Sequence, residues 1–464
     1  MFEKALNLFR VEDVRKKIVT TLILLLVYRV GFQIPIPGIS QAGIFSVMAE
    51  MENNRGAGGA FGGLIGTFSA LSAGGLLSFG IFSLGIMPYI SSSIIFSILG
   101  KVVPAIEKMV KEGSQGQKRL NQWMRWGTVP ICIIQAIFLI EGIILNPGFF
   151  GGGEPLVNAA DYASFPGHYW IGFYIPAVIA LTAGSIFLMW LGEQITEYGI
   201  GNGISLLIMA GILASLPGSV LQLFNPVGVT NPDEARTQGV LKFALLAALY
   251  LGVSLAVVYV TKGSRRVPIQ YARMVRGRGV YGGQKHFMPL KVNQANVMPV
   301  IFAVSLLAFP GVLFSEGVVD WSYGRDLFND VTGWVYTMVY VAMIFFFSFF
   351  WVQLMFQPAE MAKNMKEYGA FIPGIRPGKA TADFLDRVLV RLTLACSFFL
   401  AAISVLPNVV SASMDIDQMT ASFLGGTSIL IVVAVALDLV DRLNAQLLMR
   451  NYDGFMKGAS GGGR

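Results

Sequence analysis

Two glycine-rich stretches have the letters of nucleotide-binding motifs but not their context. Gly277 to Gly282 matches the dinucleotide fingerprint, yet no predicted strand precedes it and no helix opens after it. Gly374 to Lys379 misses the phosphate-loop spacing by one residue and continues with Ala380, where that motif has serine or threonine. The sequence therefore predicts neither an enzyme nor a nucleotide-driven motor.

Residues that hold metals, form redox centres or carry protons are few. Cys132 and Cys396 fall inside apolar runs, as packed thiols do, and both histidines fall in loops. Ion-coupled pumps place ionisable residues deep in the membrane. Here the charges within apolar runs lie near the ends of those runs, where they reach the interface: Arg29, Glu141 and Asp438. We expect no cofactor, no metal site and a conduit without ion coupling.

A basic stretch at 262–291 is the strongest charge signal in the chain. It carries eight Lys or Arg and no Asp or Glu, and apolar runs flank it on both sides. The eight are Lys262, Arg265, Arg266, Arg273, Arg276, Arg278, Lys285 and Lys291. Such a loop is predicted to face the cytosol and to offer a cationic surface to an acidic partner.

The composition places these residues in an integral membrane protein. Of 464 residues, 54% are hydrophobic and 13% charged, which leaves too little polar surface for a soluble globule. A membrane span needs about 20 apolar residues. On that basis the sequence predicts ten spans: 18–34, 77–99, 126–145, 170–191, 204–223, 243–260, 295–314, 335–356, 392–410 and 423–440.

Loop charge sets the predicted orientation of the spans. With the N-terminus in the cytosol, 29 of the 34 Lys and Arg residues fall on the cytosolic side. An even number of spans then returns the C-terminus to the cytosol. Basic cytosolic loops are predicted at 261–292 and 357–391.

Two short sequence echoes predict an inverted repeat. Met87-Pro-Tyr-Ile in the second span matches Met298-Pro-Val-Ile in the seventh, and Ser205-Leu-Leu-Ile in the fifth matches Ser428-Ile-Leu-Ile in the tenth. The halves would be 1–225 and 226–464, with the transport path between them. Pro88 and Pro299 are each expected to remove a helical hydrogen bond and to weaken their spans locally.

The segment 56–75 contains eight glycines interleaved with Ala, Ser and Phe. It is too short and flexible to span a membrane, and too apolar for an ordinary outer loop. It is expected either to fold back into the membrane or to form a loose loop packed on the outer surface.

Several longer motifs together resemble the SecY family, the central channel subunits of the bacterial Sec protein translocase. The likeness runs nearly end to end. The motifs are Ile34-Pro-Ile-Pro-Gly, Gly85-Ile-Met-Pro-Tyr-Ile-Ser, Met189-Trp-Leu-Gly-Glu-Gln-Ile-Thr, Gly199-Ile-Gly-Asn-Gly-Ile-Ser, Pro289-Leu-Lys-Val-Asn, Gly369-Ala-Phe-Ile-Pro-Gly-Ile-Arg-Pro-Gly and Gly425-Gly-Thr-Ser. The resemblance implies an all-α membrane protein with ten transmembrane helices in two pseudo-symmetric inverted halves, plus a short re-entrant plug helix at about 56–75.

The same resemblance implies a channel for unfolded polypeptides. Its narrowest point would be a ring of isoleucines that excludes water and closes around any passing sequence. The matching residues are Ile86, Ile90, Ile204, Ile208, Ile301 and Ile431. The second and seventh spans would form a lateral gate that releases apolar segments into lipid. Ser91, Asn293 and Asn296 are its candidate polar contacts, and helix capping is the alternative role for the two asparagines.

The resemblance also implies binding partners for the two basic loops. They would dock the ribosome, through phosphate-rich RNA, or the SecA ATPase. The residues expected to take part are Arg265, Arg266, Arg278, Lys285 and Arg376. SecE-like and SecG-like subunits are expected companions, in the bacterial plasma membrane. The rival interpretations are a secondary transporter of small solutes, which lacks the required buried charge, and a scaffold without a pore, in which the isoleucines merely pack.

Overall fold

The computed structural model describes residues 12–39, 80–140, 170–224, 232–271, 274–276, 279–281, 285–313, 333–414 and 426–460. The expected plug at 56–75 lies outside the described residues, as do Arg278, Glu141 and His168.

Most of the described chain is helical. The helices are α1 Glu12–Gly31, α2 Met87–Val102, α3 Pro104–Lys111, α4 Ser114–Leu139, α5 Ile175–Tyr198, α6 Gly203–Phe224, α7 Pro232–Lys262, α8 Met298–Leu313, α9 Trp334–Met355, α10 Pro358–Glu367, α11 Lys379–Met414 and α12 Gly426–Ser460. A π-helical turn, Trp170–Tyr174, leads into α5. Each predicted span overlaps one of these helices, and α3 and α10 lie between spans.

The apolar helical stretches differ in whether they are long enough to cross a membrane. Four stretches of the described chain are long and apolar enough to cross a membrane: Gly172–Tyr198, Gly239–Lys262, Trp334–Glu367 and Lys379–Val410. Shorter apolar helical stretches, Met87–Gly100 and Gly203–Pro217, lie in α2 and α6. Many large apolar side chains of these helices are exposed on the protein surface, as lipid contact allows.

Helix α2 begins later than the predicted second span. Residues 81–86 form successive turns, and Gly85 takes a φ of +57°, which a residue with a side chain rarely adopts. Pro88 then lies in the first helical turn, where its missing N–H has no partner to lose. Pro299 is likewise the second residue of α8. Both prolines therefore begin helices, and the expected mid-span weakening is wrong.

The helices that overlap the predicted spans pack mainly within two groups. In the first group α2 packs on α4, α4 on α5, α5 on α6, and α1 on α5. In the second group α8 packs on α9, α9 on α11, and α12 on both α7 and α11. The principal contacts between the groups join α6 to α7 and to α12.

The basic stretch between α7 and α8 contains β-strands, which its prediction as a cytosolic loop did not include. Strand β1 (Ser264–Tyr271) pairs antiparallel with β4 (Lys285–Lys291), from Ser264 opposite Lys291 to Gln270 opposite Lys285. Strands β2 (Met274–Arg276) and β3 (Gly279–Tyr281) form the intervening hairpin. Strand β5 (Ala370–Phe371) pairs only with Gln270 and Tyr271. Pro268 therefore lies outside the part of β1 that pairs with β5, so its missing N–H removes no bond to that strand.

A small apolar core supports this sheet. Val267 and Leu290, one from each long strand, pack with Ile372, Leu385 and Val388. Met361 and Met365 of α10 cover the same cluster. We refer to β1, β4, β5, α10 and the first turns of α11 as the loop subdomain. Its core explains why two segments that are distant in sequence form one surface.

Candidate functional site

The six predicted ring isoleucines come from four helices. Ile86 and Ile90 lie at the start of α2, Ile204 and Ile208 in the first turns of α6, Ile301 in α8 and Ile431 in α12. Five of them are buried, and Ile204 is partly buried against the others' cluster. All six belong to one hydrophobic cluster, which draws residues from both helix groups.

Local geometry fixes the helix starts that position these side chains. The Ile204 N–H donates to Asn202 Oδ1 at 3.1 Å, so Asn202 caps α6. The Gly203 N–H donates to Thr196 Oγ1 at 2.9 Å, which ties α6 to the end of α5. A Cβ on Gly203 would collide with the Gly192 carbonyl, so the approach of the two helices requires glycine here.

The start of α12 is fixed in a comparable way. Gly426 has a φ of +61°, and a Cβ there would collide with the Pro407 ring of α11. This close approach sets the position of Ile431, one helical turn further on. Glycines of the GIGNG and GGTS motifs thus act by allowing backbones to approach.

Among the described residues, the buried cluster contains no charged side chain. Among the described residues, the buried polar side chains are those of Ser, Thr and Asn, without a Lys, Arg, Asp or Glu. Within the same part of the chain, no group of three His, Cys, Asp or Glu is placed to bind a metal. An apolar cluster of this kind has the composition that a water-excluding constriction would need.

The three predicted gate residues have different surroundings. Ser91 is half-buried on α2, Asn293 is buried just before α8, and Asn296 is exposed. Asn293 Oδ1 has no hydrogen-bond partner, so it does not cap α8. The carbonyl of Val297 accepts the first helical bonds, from Val300 and Ile301. The capping alternative is therefore wrong for Asn293 Oδ1.

The predicted docking residues lie mostly in the loop subdomain. Arg265 and Arg266 are exposed on β1, and Lys285 begins β4. Arg376 is exposed, and its carbonyl accepts a hydrogen bond from Thr381 Oγ1 at 2.9 Å, which fixes the turn before α11. Pairing of β1 with β5 brings the two basic segments together. The position of Arg278 lies outside the described residues.

Sequence reasoning missed a polar network that joins the first helix group. Ser92 Oγ of α2 donates to the Met124 carbonyl of α4 at 2.7 Å. The adjacent Arg125 forms an ion pair with Glu193 of α5 at 2.7 Å. Tyr89 of α2 lies close enough to both charges to interact with them. Arg125 and Glu193 are far apart in sequence, so only the fold reveals the pair.

Sequence reasoning also missed Gln294 as a candidate functional residue. Both its Oε1 and its Nε2 are buried without a hydrogen-bond partner, directly beside Asn293. A single glutamine near the start of a predicted span carries no signal that would have identified it.

Comparison with known proteins assigns the family. The model of the SecY family matches residues 80–440. The SecY translocase subunit of Corynebacterium glutamicum is 39% identical over 97% of this chain and 98% of its own length. That of Escherichia coli is 38% identical over 97% and 95%. The chain belongs to the SecY family of protein translocase subunits.

Solved structures agree with the SecY fold. A structure described as a protein-conducting channel superposes with a TM-score of 0.57 at 19% identity, covering 93% of this chain and 92% of that one. Sec61 in a canine ribosome-channel complex from the endoplasmic reticulum superposes with a TM-score of 0.53 at 18% identity, with the same coverage. Together with the family assignment, these likenesses confirm the predicted fold class, an all-α membrane protein with the SecY fold.

Proposed function

We propose that this SecY-family chain is a passive, gated channel subunit without enzymatic activity, through which unfolded secretory polypeptides cross the membrane. One observation carries the proposal: six isoleucines from α2, α6, α8 and α12 share one cluster in which no described residue is a buried charge. Isoleucine side chains exclude water yet deform around a chain of any sequence. Together they would form the pore ring, Ile86, Ile90, Ile204, Ile208, Ile301 and Ile431.

The lateral gate would lie between α2 and α8. Helix α2 packs chiefly on α4, and α8 packs chiefly on α9. Among the described residues, α2 and α8 are not one of the closely packed pairs. A weakly packed boundary can part at low cost and let an apolar segment enter lipid. Ser91, Asn293 and Asn296 would supply its polar contacts, and residues 56–75 would form the plug.

Partners follow from the exposed charge and from the relatives. The ribosome and the SecA ATPase would dock on Arg265, Arg266, Arg278, Lys285 and Arg376, and would supply the energy that the channel lacks. Two of the structural relatives are ribosome-channel complexes, from dog and yeast. SecE-like and SecG-like subunits would complete the channel. Purification from native membranes as a stable lone chain would contradict this last point.

The orientation proposed for the membrane follows from loop charge. The loop subdomain, α3 and both termini would face the cytosol of a bacterium, with the protein in the plasma membrane. The two halves, 1–225 and 226–464, would be related by an inverted repeat, with the pore at their interface.

The test replaces Ile86, Ile204, Ile301 and Ile431 together with glycine in the reconstituted complex. A channel should then leak ions, with conductance per complex raised about tenfold or more, because the dewetted constriction is lost. The matched control replaces one exposed residue in each of the same four helices with glycine: Ile95, Leu213, Leu306 and Val440. Planar-bilayer recordings measure both.

Each outcome of this test discriminates between the interpretations. A leak in the ring variant alone supports the channel. A folded ring variant with no leak would favour the scaffold interpretation, in which these isoleucines only pack. Transport of a small solute against its gradient by the unmodified protein would favour the transporter interpretation.

A further inference from the structure

Three polar atoms just before α8 are buried without a partner. They are Asn293 Oδ1 and both amide atoms of Gln294, Oε1 and Nε2. Asn293 is only 2% exposed. A buried polar group without a hydrogen bond destabilises a fold, and folded proteins retain few of them. These two adjacent side chains therefore have hydrogen-bonding capacity that the described residues do not use.

The backbone of the same segment is also unusual. Asn296 has a φ of +52° and is the one non-glycine residue with a positive φ among the described residues. Conformations of this kind cost free energy and cluster at binding sites and switches. Unpartnered amides and a left-handed residue therefore coincide within 293–296.

Residues 293–296 lie between the loop subdomain and the main membrane cluster. Leu290 packs in the core of the loop subdomain, whereas Val297 packs against the main membrane cluster. The Val292 N–H donates to the Gly263 carbonyl at 2.9 Å, which anchors the segment beside the end of α7. Ile301, a ring residue, follows one turn into α8. Residues 293–296 thus join the loop subdomain to the isoleucine ring.

We propose that Asn293 and Gln294 bind the backbone peptide groups of the translocating polypeptide as it approaches the ring. The inference rests on the proposed function and names what that site recognises. An unfolded chain loses water from its N–H and C=O groups when it enters an apolar constriction. A side-chain amide both donates and accepts, so it pairs with any peptide group whatever the residue.

The first experiment replaces Gln294 with leucine, alone and with Asn293→Leu, in the complete complex. Removing unpartnered buried groups should leave the thermal midpoint of the empty channel unchanged or higher. Translocation of a secretory chain that is first stalled and then released should become about three- to tenfold slower. A rate change of this size corresponds to the loss of one hydrogen bond or slightly more. Gln122→Leu, at an exposed position of α4, is the matched control and should change neither quantity.

The second experiment varies the polypeptide. Proline has no N–H, so a run of prolines offers nothing for Asn293 Oδ1 and Gln294 Oε1 to accept. In the unmodified channel a secretory chain with a proline run should pass more slowly than one with a matched alanine run. That difference should shrink by about threefold in the double variant Asn293→Leu with Gln294→Leu, because both acceptors are then absent.

The outcomes separate the inference from the proposed function. A Gln294→Leu channel that is less stable would show that the amide has a partner in the resting fold, which would overturn the inference. Unchanged rates in both experiments would mean that only ordered water occupies the segment, with the same consequence. If the unmodified complex moves no polypeptide at all, the proposed function itself is wrong.

Discussion

The two boundaries between the helix groups differ in how they are built. At one boundary α6 packs on α7 and on α12, and Leu246 of α7 is buried among Leu216 and Val220 of α6 and Val410 of α11. At the other boundary α2 and α8 each pack mainly on a helix of their own group. We call these the packed boundary and the gate boundary.

The contrast assigns different mechanical roles to similar apolar helices. Well-packed apolar side chains must all separate before their helices can part, so in the proposed channel the packed boundary would stay together and act as a hinge. The gate boundary has little contact to lose and would open about that hinge. On this proposal, the packing at each boundary, rather than its hydrophobicity, decides which side moves.

The largest expected effect comes from breaking the packed boundary. Leu246, which is 2% exposed, should lose about 2–5 kcal/mol of stability on replacement with alanine, because a cavity remains. Leu251 lies on the same helix but is 64% exposed, and its alanine variant should change stability by less than about 0.5 kcal/mol. Thermal unfolding in detergent measures both. Equal effects would mean that this boundary is not specially packed.

A smaller effect is expected from the ion pair that holds α4 to α5. Arg125→Glu places two acids together and should cost about 1 kcal/mol, since both side chains are partly exposed. The double variant Arg125→Glu with Glu193→Arg restores opposite charges and should recover most of that stability. A double variant no more stable than the single ones would show that the pair contributes nothing.

The smallest stability effect is expected at the gate boundary. Ser91→Leu on α2 should change the free energy of unfolding by less than about 0.5 kcal/mol, because few contacts depend on the Ser91 side chain. The thermal midpoint should therefore change very little. The substitution should nevertheless change lateral release of a weakly apolar segment, measured as the inserted fraction, by about twofold. Unchanged insertion together with a large loss of stability would place Ser91 in a packed interface instead.

The sequence predicted much of this fold because apolar length and loop charge are strong signals. Each predicted span overlaps a helix, and the motif resemblance identified the correct family. The start of α2 was missed because residues 81–86 are apolar yet form turns, and hydropathy does not register the backbone conformation of Gly85. The strands of the loop subdomain were missed because their many charged residues hide the alternation of buried and exposed side chains around Val267 and Leu290.

The candidate site was predictable to a lesser extent. The isoleucines were found through motifs, since a single isoleucine in an apolar helix has no distinguishing feature. Gln294 and the Arg125–Glu193 pair depend on what surrounds each side chain in three dimensions. Burial without a partner, and pairing across distant segments, leave no local pattern in a sequence.

The most direct measurement places a photo-crosslinking probe at Ile86 or Ile301, each 6% exposed, in channels engaged by a ribosome with a stalled secretory chain. Phe346 of α9, 61% exposed, is the outward-facing control. Crosslinks to the stalled chain from Ile86 and Ile301 but not from Phe346 are the predicted result. Their absence from a demonstrably docked complex would contradict the assignment of the isoleucine cluster as the path of the polypeptide.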